Sequence, residues 1–296
     1  MNLEIDSERG RSVAECLYKA FHEKGIHGKK DMPEDKLPMG VQERSLEHIL
    51  FVTLTTCIDY MRDSQSLWNN SRKTYEDPQT SYLFEPSLVS ETPIEKIIED
   101  MNKHNLSQRP RQDAKIWRTN SITFHKKWNN NPINLFEKFS YDALEILRHL
   151  RNNRRDYPYL SADKIPLVWL RILKDNVGIK FKNIEKVPIP VDTHIARATL
   201  ATGVVRGKAT INKDELNELI KEAWFKSLDS LKINNRQIIP LDLDKPFWHL
   251  SRYGCSKYRD KSSGQCSRKE TCEAKDFCVK GKIQKEKDIY DIDTWL

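Results

Sequence analysis

An all-α fold of two helical domains is predicted for this 296-residue chain, and three observations predict it. Apolar residues recur at helical intervals along most of the sequence, helix-start signals open the periodic stretches, and no stretch reads as a convincing strand or repeat. The length allows one large core or two modest ones.

The elements follow in order. From Ser7 to about Glu23, the residues Val13, Cys16, Leu17, Ala20 and Phe21 keep helical spacing. A polar loop then runs to about Pro38. The next helix begins around Ser45 and is expected to reach Met61; Ile49, Leu50, Val52 and Leu54 make it apolar on more than one face, which suits a buried position. Residues 75–93 read as loop, followed by a short helix from Ile94 to Met101. Gln112 to Trp128 is clearer, because Ala114, Trp117, Ser121, Phe124 and Trp128 form one stripe before Asn129-Asn130-Asn131-Pro132 ends it. Tyr141 to about His149 turns Leu144 and Leu147 inward. Between Lys164 and Asp175 the apolar residues Ile165, Val168, Trp169, Ile172 and Leu173 share a face, with Asp163 expected to cap and Pro166 in the first turn. Pro188 and Pro190 then force an extended approach to a helix that Asp192 opens and Gly203 closes. Asn212 and Glu215 form a capping box for a helix carrying Leu216, Leu219, Ile220, Ala223 and Trp224. A last helix carries Phe247, Trp248 and Leu250 into a cysteine-rich stretch.

Composition narrows the partners. Fifty Lys and Arg against 43 Asp and Glu leave a net charge of +7, which suits a polyanion. Apolar runs such as Ile49 to Val52 are too short to cross a bilayer, and the N-terminus lacks a signal-peptide core, so a cytosolic protein is expected. In that compartment Cys255, Cys266, Cys272 and Cys278 read as a metal site and not as disulfides. Four thiolates suffice for one [4Fe–4S] cluster or one zinc ion, and spacing leaves both open. Lys257, Arg259, Lys261, Arg268 and Lys269 surround them, as in a loop facing a phosphate backbone. Asp192 by itself reads first as an N-cap, a role that is compatible with chemistry.

Val191-Asp192-Thr193-His194 at a helix start resembles the segment carrying the catalytic aspartate in endonuclease III and the wider helix-hairpin-helix DNA glycosylase superfamily. The likeness continues in the same order through Ile49 to Thr56, Ala114 to Trp117, Asp142 to Leu147, and the five-residue gap between Cys272 and Cys278, over roughly residues 45–278. Leu160-Ser161-Ala162-Asp163-Lys164 is also similar to archaeal GO glycosylases, whose lysine precedes an apolar helix. The resemblance implies an endonuclease III-like pair of domains flanking a DNA cleft: residues 40–163, and residues 1–39 with 164–296, the latter carrying the cluster loop at 254–280. It implies a base-excision-repair enzyme that flips out and removes a damaged, oxidised base from double-stranded DNA, with Asp192 and Lys164 as catalytic residues at the cleft mouth and AP lyase activity if Lys164 is a nucleophile. Lys174 is the rival, deeper in the helix. A [4Fe–4S] cofactor is implied, zinc being the alternative, together with a monomer in the nucleoid-containing cytoplasm.

Two departures stand out. The family's glycine hairpin is replaced by Arg148 to Lys164 without a glycine, so Arg148, Arg151, Arg154 and Arg155 are candidates for phosphate contact by side chain, or else make a solvated basic loop. Lys257 and Arg268 are the further candidates for DNA contact. Cys57 stands where endonuclease III has a glutamine; Cys57, Asp59 and Tyr60 are the candidates for lining the base pocket. These departures keep a second reading open, a non-catalytic iron–sulfur DNA-binding protein on the same fold. A zinc-binding helical protein outside repair is a third.

Overall fold

A computed structural model describes residues 2–296. They form two compact units: a discontinuous unit of the residues up to Lys30 with Glu185–Leu296, and a central unit of Asp31–Ile184. The chain opens with strand β1 (Leu3–Ile5) and helix α1 (Ser7–Glu23). Asp6 starts the helix by accepting the Arg9 N–H at 2.9 Å, which satisfies a backbone donor of the first turn.

The central unit holds α2 (Leu46–Thr56), α3 (Ser64–Glu76), α4 (Pro86–Glu91), α5 (Ile94–Lys103), α6 (Pro110–Trp128), α7 (Pro132–Lys138), α8 (Ala143–Asn152) and α9 (Ile165–Ile172). From His48 to Thr56 every residue of α2 is buried, as its all-round apolar sequence demands. Phe51 meets Trp68 of α3 edge-on, and Trp117 of α6 meets Phe84 edge-on while its indole N–H donates to the Leu83 carbonyl at 2.7 Å. The structure ends α2 at Thr56, short of the expected Met61, where Met61 takes a left-handed turn at φ 50°. It also finds α3, α4 and α7 where the sequence reading had loop or nothing.

The domain boundaries move as well. Residues 31–39 and 164–184, expected in the discontinuous domain, belong to the central unit. The reason is α9. Its Trp169 indole donates to Thr53 Oγ1 of α2 at 3.0 Å, and the buried Arg171 guanidinium pairs with the equally buried Glu34 at 2.5 Å. Lys164 therefore shares a unit with the apolar helix α2.

The discontinuous unit adds α10 (Thr193–Ala201), β2 (Val205–Asn212), α11 (Lys213–Leu228), the small hairpin of β3 (Lys232–Ile233) and β4 (Arg236–Gln237), α12 (Asp244–Leu250), β5 (Lys280–Glu286) and β6 (Ile289–Trp295). Trp224 packs edge-on against Phe247 with ring centres 4.7 Å apart and donates to Thr199 Oγ1 at 3.0 Å, which locks α10, α11 and α12 together. Gly10 lets α1 lie against α11, since a Cβ there would meet Ser227 Oγ at 2.0 Å. The sequence reading had no strands; the structure has an antiparallel sheet in the order β1-β2-β6-β5. Its residues alternate, with Tyr290, Ile292 and Thr294 of β6 buried and their neighbours turned outward. The fold stays predominantly helical. Among the described residues no helix is long and apolar enough to cross a membrane.

Candidate active site

Asp192 sits where extended chain becomes helix. Val187, Ile189 and Val191 bury on one side of the proline-bearing approach, and Asp192 itself keeps an extended backbone at φ −117°, ψ −172°. Its Oδ1 accepts two first-turn donors, His194 N–H at 2.7 Å and Ile195 N–H at 2.8 Å. The half-buried carboxylate is thus clamped through one oxygen, at the positive end of α10. His194 turns away from chemistry: its Nδ1 lies 3.1 Å from Ser251 Oγ and its ring packs near Trp248. Arg197 donates to the same Ser251 hydroxyl at 3.1 Å. Tyr290 of β6 closes this corner, and burial pushes its phenol up to about 12, with Arg197 opposing and Asp192 adding to the shift. The sequence reading missed Tyr290, which lies on a strand it did not foresee.

In the central unit, Lys164 occupies the N-cap position of α9. Its carbonyl accepts the Leu167 and Val168 N–H groups at 3.0 and 3.2 Å, so its backbone is fixed in the first turn and its side chain is half-buried. Asp163, expected as the cap, is exposed and does not cap, because the helix begins one residue later than that role requires. Lys174 lies on a π-helical turn (Leu173–Val177) beyond α9 and pairs with Asp175 at 2.5 Å.

The hairpin before Lys164 has a physical substitute for the absent glycine. Tyr159 takes the left-handed conformation at φ 64°, an expensive choice for a bulky residue. Its hydroxyl accepts from Gln112 Nε2 at 2.9 Å and Arg109 Nη1 at 3.2 Å, and the Arg109 guanidinium stands 5.6 Å over its ring. Next to it the buried Tyr157 accepts the Trp128 indole N–H at 2.6 Å. Side chains from α6 and its N-cap residue Arg109 therefore hold a turn that glycine would make by backbone freedom. Arg151, Arg154 and Arg155 are exposed on this hairpin, and Arg148, also exposed, pairs with Glu145.

Cys57 changes standing. It is fully buried and its thiol donates to the Thr53 carbonyl at 3.1 Å, one turn back, so it packs inside the central unit and presents nothing to a base. Asp59 is buried at the end of the same turn, whereas Tyr60 is 41% exposed, with the Arg109 guanidinium 5.3 Å over its ring and Tyr159 at 5.1 Å. Tyr60, Arg109 and Tyr159 form a half-exposed aromatic and cationic cluster in which sequence reasoning foresaw only Tyr60.

The family model described as AGOG: N-glycosylase/DNA lyase matches residues 46–286. The chain belongs to the AGOG family. It is therefore a DNA glycosylase/lyase acting on damaged bases in base excision repair, of the helix-hairpin-helix superfamily whose likeness the Asp192 segment carries. Among curated proteins nothing matches the chain.

The AGOG match extends through the cysteine-rich stretch. Cys255 ends a π-helical turn (Ser251–Cys255) that prolongs α12, and Cys266, Cys272 and Cys278 follow in short turns stabilised by backbone bonds such as Cys272 N–H to the Lys269 carbonyl at 3.0 Å. All four line one cavity together with His27, Arg259 and Arg268. Burial pushes the Cys255 and Cys272 thiols up to about 12. Arg259 donates Nη2 to the Gly281 carbonyl at 3.3 Å, while its buried Nε and Nη1 have no protein acceptor. Arg268 lies 4.9 Å over the Tyr258 ring, and Lys257, exposed, 5.9 Å from that of Tyr253.

Proposed function

We propose that this AGOG chain removes an oxidised base by a bifunctional route in which Asp192 and Lys164 divide the work. The observation that carries the reading is the Asp192 clamp: two backbone N–H groups hold Oδ1, which fixes the carboxylate at the start of α10. Such a carboxylate stabilises the positive charge that grows on the deoxyribose as the C1′–N bond breaks. The bond's electron pair leaves with the base, which takes up a proton. Lys164, as the neutral amine, forms the new bond to C1′ and gives up a proton; opening of the sugar ring leaves a Schiff base. Loss of a C2′ proton then expels the 3′ phosphate by β-elimination. Lys164 at the first turn of α9 has the helix macrodipole favouring that neutral form. The likeness to GO glycosylases supports an oxidised base as substrate.

Tyr60, Asp59 and the Tyr159 hairpin are the parts of the central unit suited to the extruded base and its strand. An exposed aromatic face under a guanidinium favours base stacking. Arg148, Arg151, Arg154 and Arg155, with Lys257 and Arg268, supply phosphate contacts through side chains. The enzyme acts as a monomer in the DNA-containing cytoplasm.

Cys255, Cys266, Cys272 and Cys278 hold a [4Fe–4S] cluster in this reading. The donor set fits: four sulfurs on one cavity wall, and two buried Arg259 donors that an anionic centre satisfies. The same four thiolates would also suit one zinc ion, which remains the alternative occupant of this cavity. The cluster supplies a rigid, charged anchor for the loop. Bond cleavage is left to Asp192 and Lys164.

Duplexes carrying 8-oxoguanine, thymine glycol or uracil test the substrate. Free 8-oxoguanine or thymine glycol base with a nicked strand is expected; release of uracil alone would overturn the oxidised-base assignment, and release without nicking would remove Lys164 from the mechanism.

A further inference from the structure

Beside the first turn of α10 the discontinuous unit has a second cavity, whose walls include Thr193 and Tyr290. Of its ten lining residues four are cationic, Arg197, Arg259, Lys261 and Lys285, against one carboxylate. The carboxylate on the wall, Asp260, is turned into its own loop, where Oδ1 accepts the Ser262 and Ser263 N–H groups at 3.0 and 2.7 Å and the Ser263 hydroxyl at 2.8 Å. Lys285 reaches in from β5, its Nζ 3.3 Å from Thr193 Oγ1 and 5.5 Å from the ring of Tyr290, its partner across the hairpin. Partial burial, with Lys213 and Arg197 nearby, lowers the Lys285 pKa in spite of Asp288 and Asp192, so the ammonium is partly desolvated at the cavity wall. Tyr290, 4% exposed, keeps its proton and is a donor. Ammonium, guanidinium and hydroxyl donors around one small volume suit a ligand with several anionic oxygens.

We propose that this cavity binds a DNA phosphodiester, so that the C-terminal hairpin β5–β6 holds the strand beside Asp192. The proposal rests on Asp192 acting at the sugar. Each deoxyribose in a strand carries a phosphodiester on either side, and Thr193 is the next residue after Asp192. A sugar presented to Asp192 therefore brings a phosphate toward the Thr193 side. Lys285 is the residue that positions it, and Arg197 and Lys261 complete the cationic wall.

The test measures affinity for a duplex containing a tetrahydrofuran abasic analogue, by fluorescence anisotropy at several salt concentrations. Lys285→Gln is expected to weaken binding about ten-fold, the scale of one charge-assisted hydrogen bond, and to reduce the salt slope by about 0.9, one phosphate's worth. A scan of single neutral methylphosphonate linkages then finds one position that costs the wild type as much and costs Lys285→Gln nothing further. Lys285→Arg, which keeps the charge, retains the affinity; if it fails as Gln does, the loss is structural and the proposal falls. Wild-type affinity and slope in Lys285→Gln, or equal costs for both proteins at every linkage, would overturn it. Inorganic phosphate is the other source of this chemistry: thermal stabilisation by phosphate that Lys285→Gln abolishes, with no linkage effect, would assign the cavity to a free anion and overturn the DNA contact. A wild type that binds the duplex but releases no base from any substrate refutes the Asp192 chemistry separately, and the linkage scan then still decides the cavity.

Discussion

Asp192 is asked to do two things, and two substitutions separate them. As an N-cap it satisfies the His194 and Ile195 N–H groups through Oδ1; as a catalytic group it offers negative charge to the sugar. Asparagine caps as well as aspartate does, and its carbonyl oxygen can take the same two bonds, so Asp192→Asn is expected to change stability by only a few tenths of a kcal/mol. The charge is gone, however, and a positioned catalytic group is worth about 10²–10⁴-fold in rate. At about 1.4 kcal/mol per decade that is roughly 3–5 kcal/mol of transition-state stabilisation. Asp192→Ala removes both functions: the same loss of rate, with about 1 kcal/mol of stability, which lowers the melting temperature by about 2–4 °C in a chain of this size. The assays are single-turnover base release and thermal unfolding on the three proteins side by side. Asp192→Asn with wild-type turnover would reduce the residue to a cap, and Asp192→Ala with wild-type melting would show that the cap contributes nothing.

Three further outcomes follow from the packing. Glu34→Ala removes the buried carboxylate that faces the Arg171 guanidinium and is expected to destabilise the protein by about 3–5 kcal/mol in denaturant melts, whereas a loss under about 1 kcal/mol would show that this pair does not hold α9 in the central unit. Tyr157→Phe strips the acceptor from the Trp128 indole at the base of the hairpin and is expected to cost about 1–3 kcal/mol; an unchanged midpoint would show that water replaces the hydroxyl. Anaerobically purified protein is expected to carry four irons and visible absorption, which Cys272→Ser diminishes together with stability; one zinc per chain and no chromophore would replace the iron–sulfur assignment.

Much of this was legible in the residues. The Asp192 cap needed only two prolines, an aspartate and an apolar helix after it, and the four cysteines announced themselves by crowding into one stretch. Helices with a continuous apolar stripe, such as α1 and α6, were found within a few residues. What escaped has physical reasons. In α3 the inward face is Leu67, Trp68, Ser71 and Thr74, half of it polar, so its helical period is weak. The strands β2 and β5 bury little and read as polar, and in β6 the alternation of Tyr290, Ile292 and Thr294 is short and interrupted by acids, although the signal is there. The place of α9 is set by Trp169 on Thr53 and Arg171 on Glu34, contacts between residues far apart in sequence that no local pattern encodes. Tyr159 is the instructive case in the site: the missing glycine was visible, but that a tyrosine takes the left-handed turn depends on donors from Arg109 and Gln112.

The division of labour between Asp192 and Lys164 is tested most directly by borohydride trapping on a duplex carrying an oxidised base. Wild-type protein is expected to give a covalent protein–DNA adduct, Lys164→Gln to give none while Lys174→Gln and Lys285→Gln still trap, and peptide mapping to place the reduced linkage on Lys164. An adduct that survives in Lys164→Gln, or that maps to another lysine, would contradict the account.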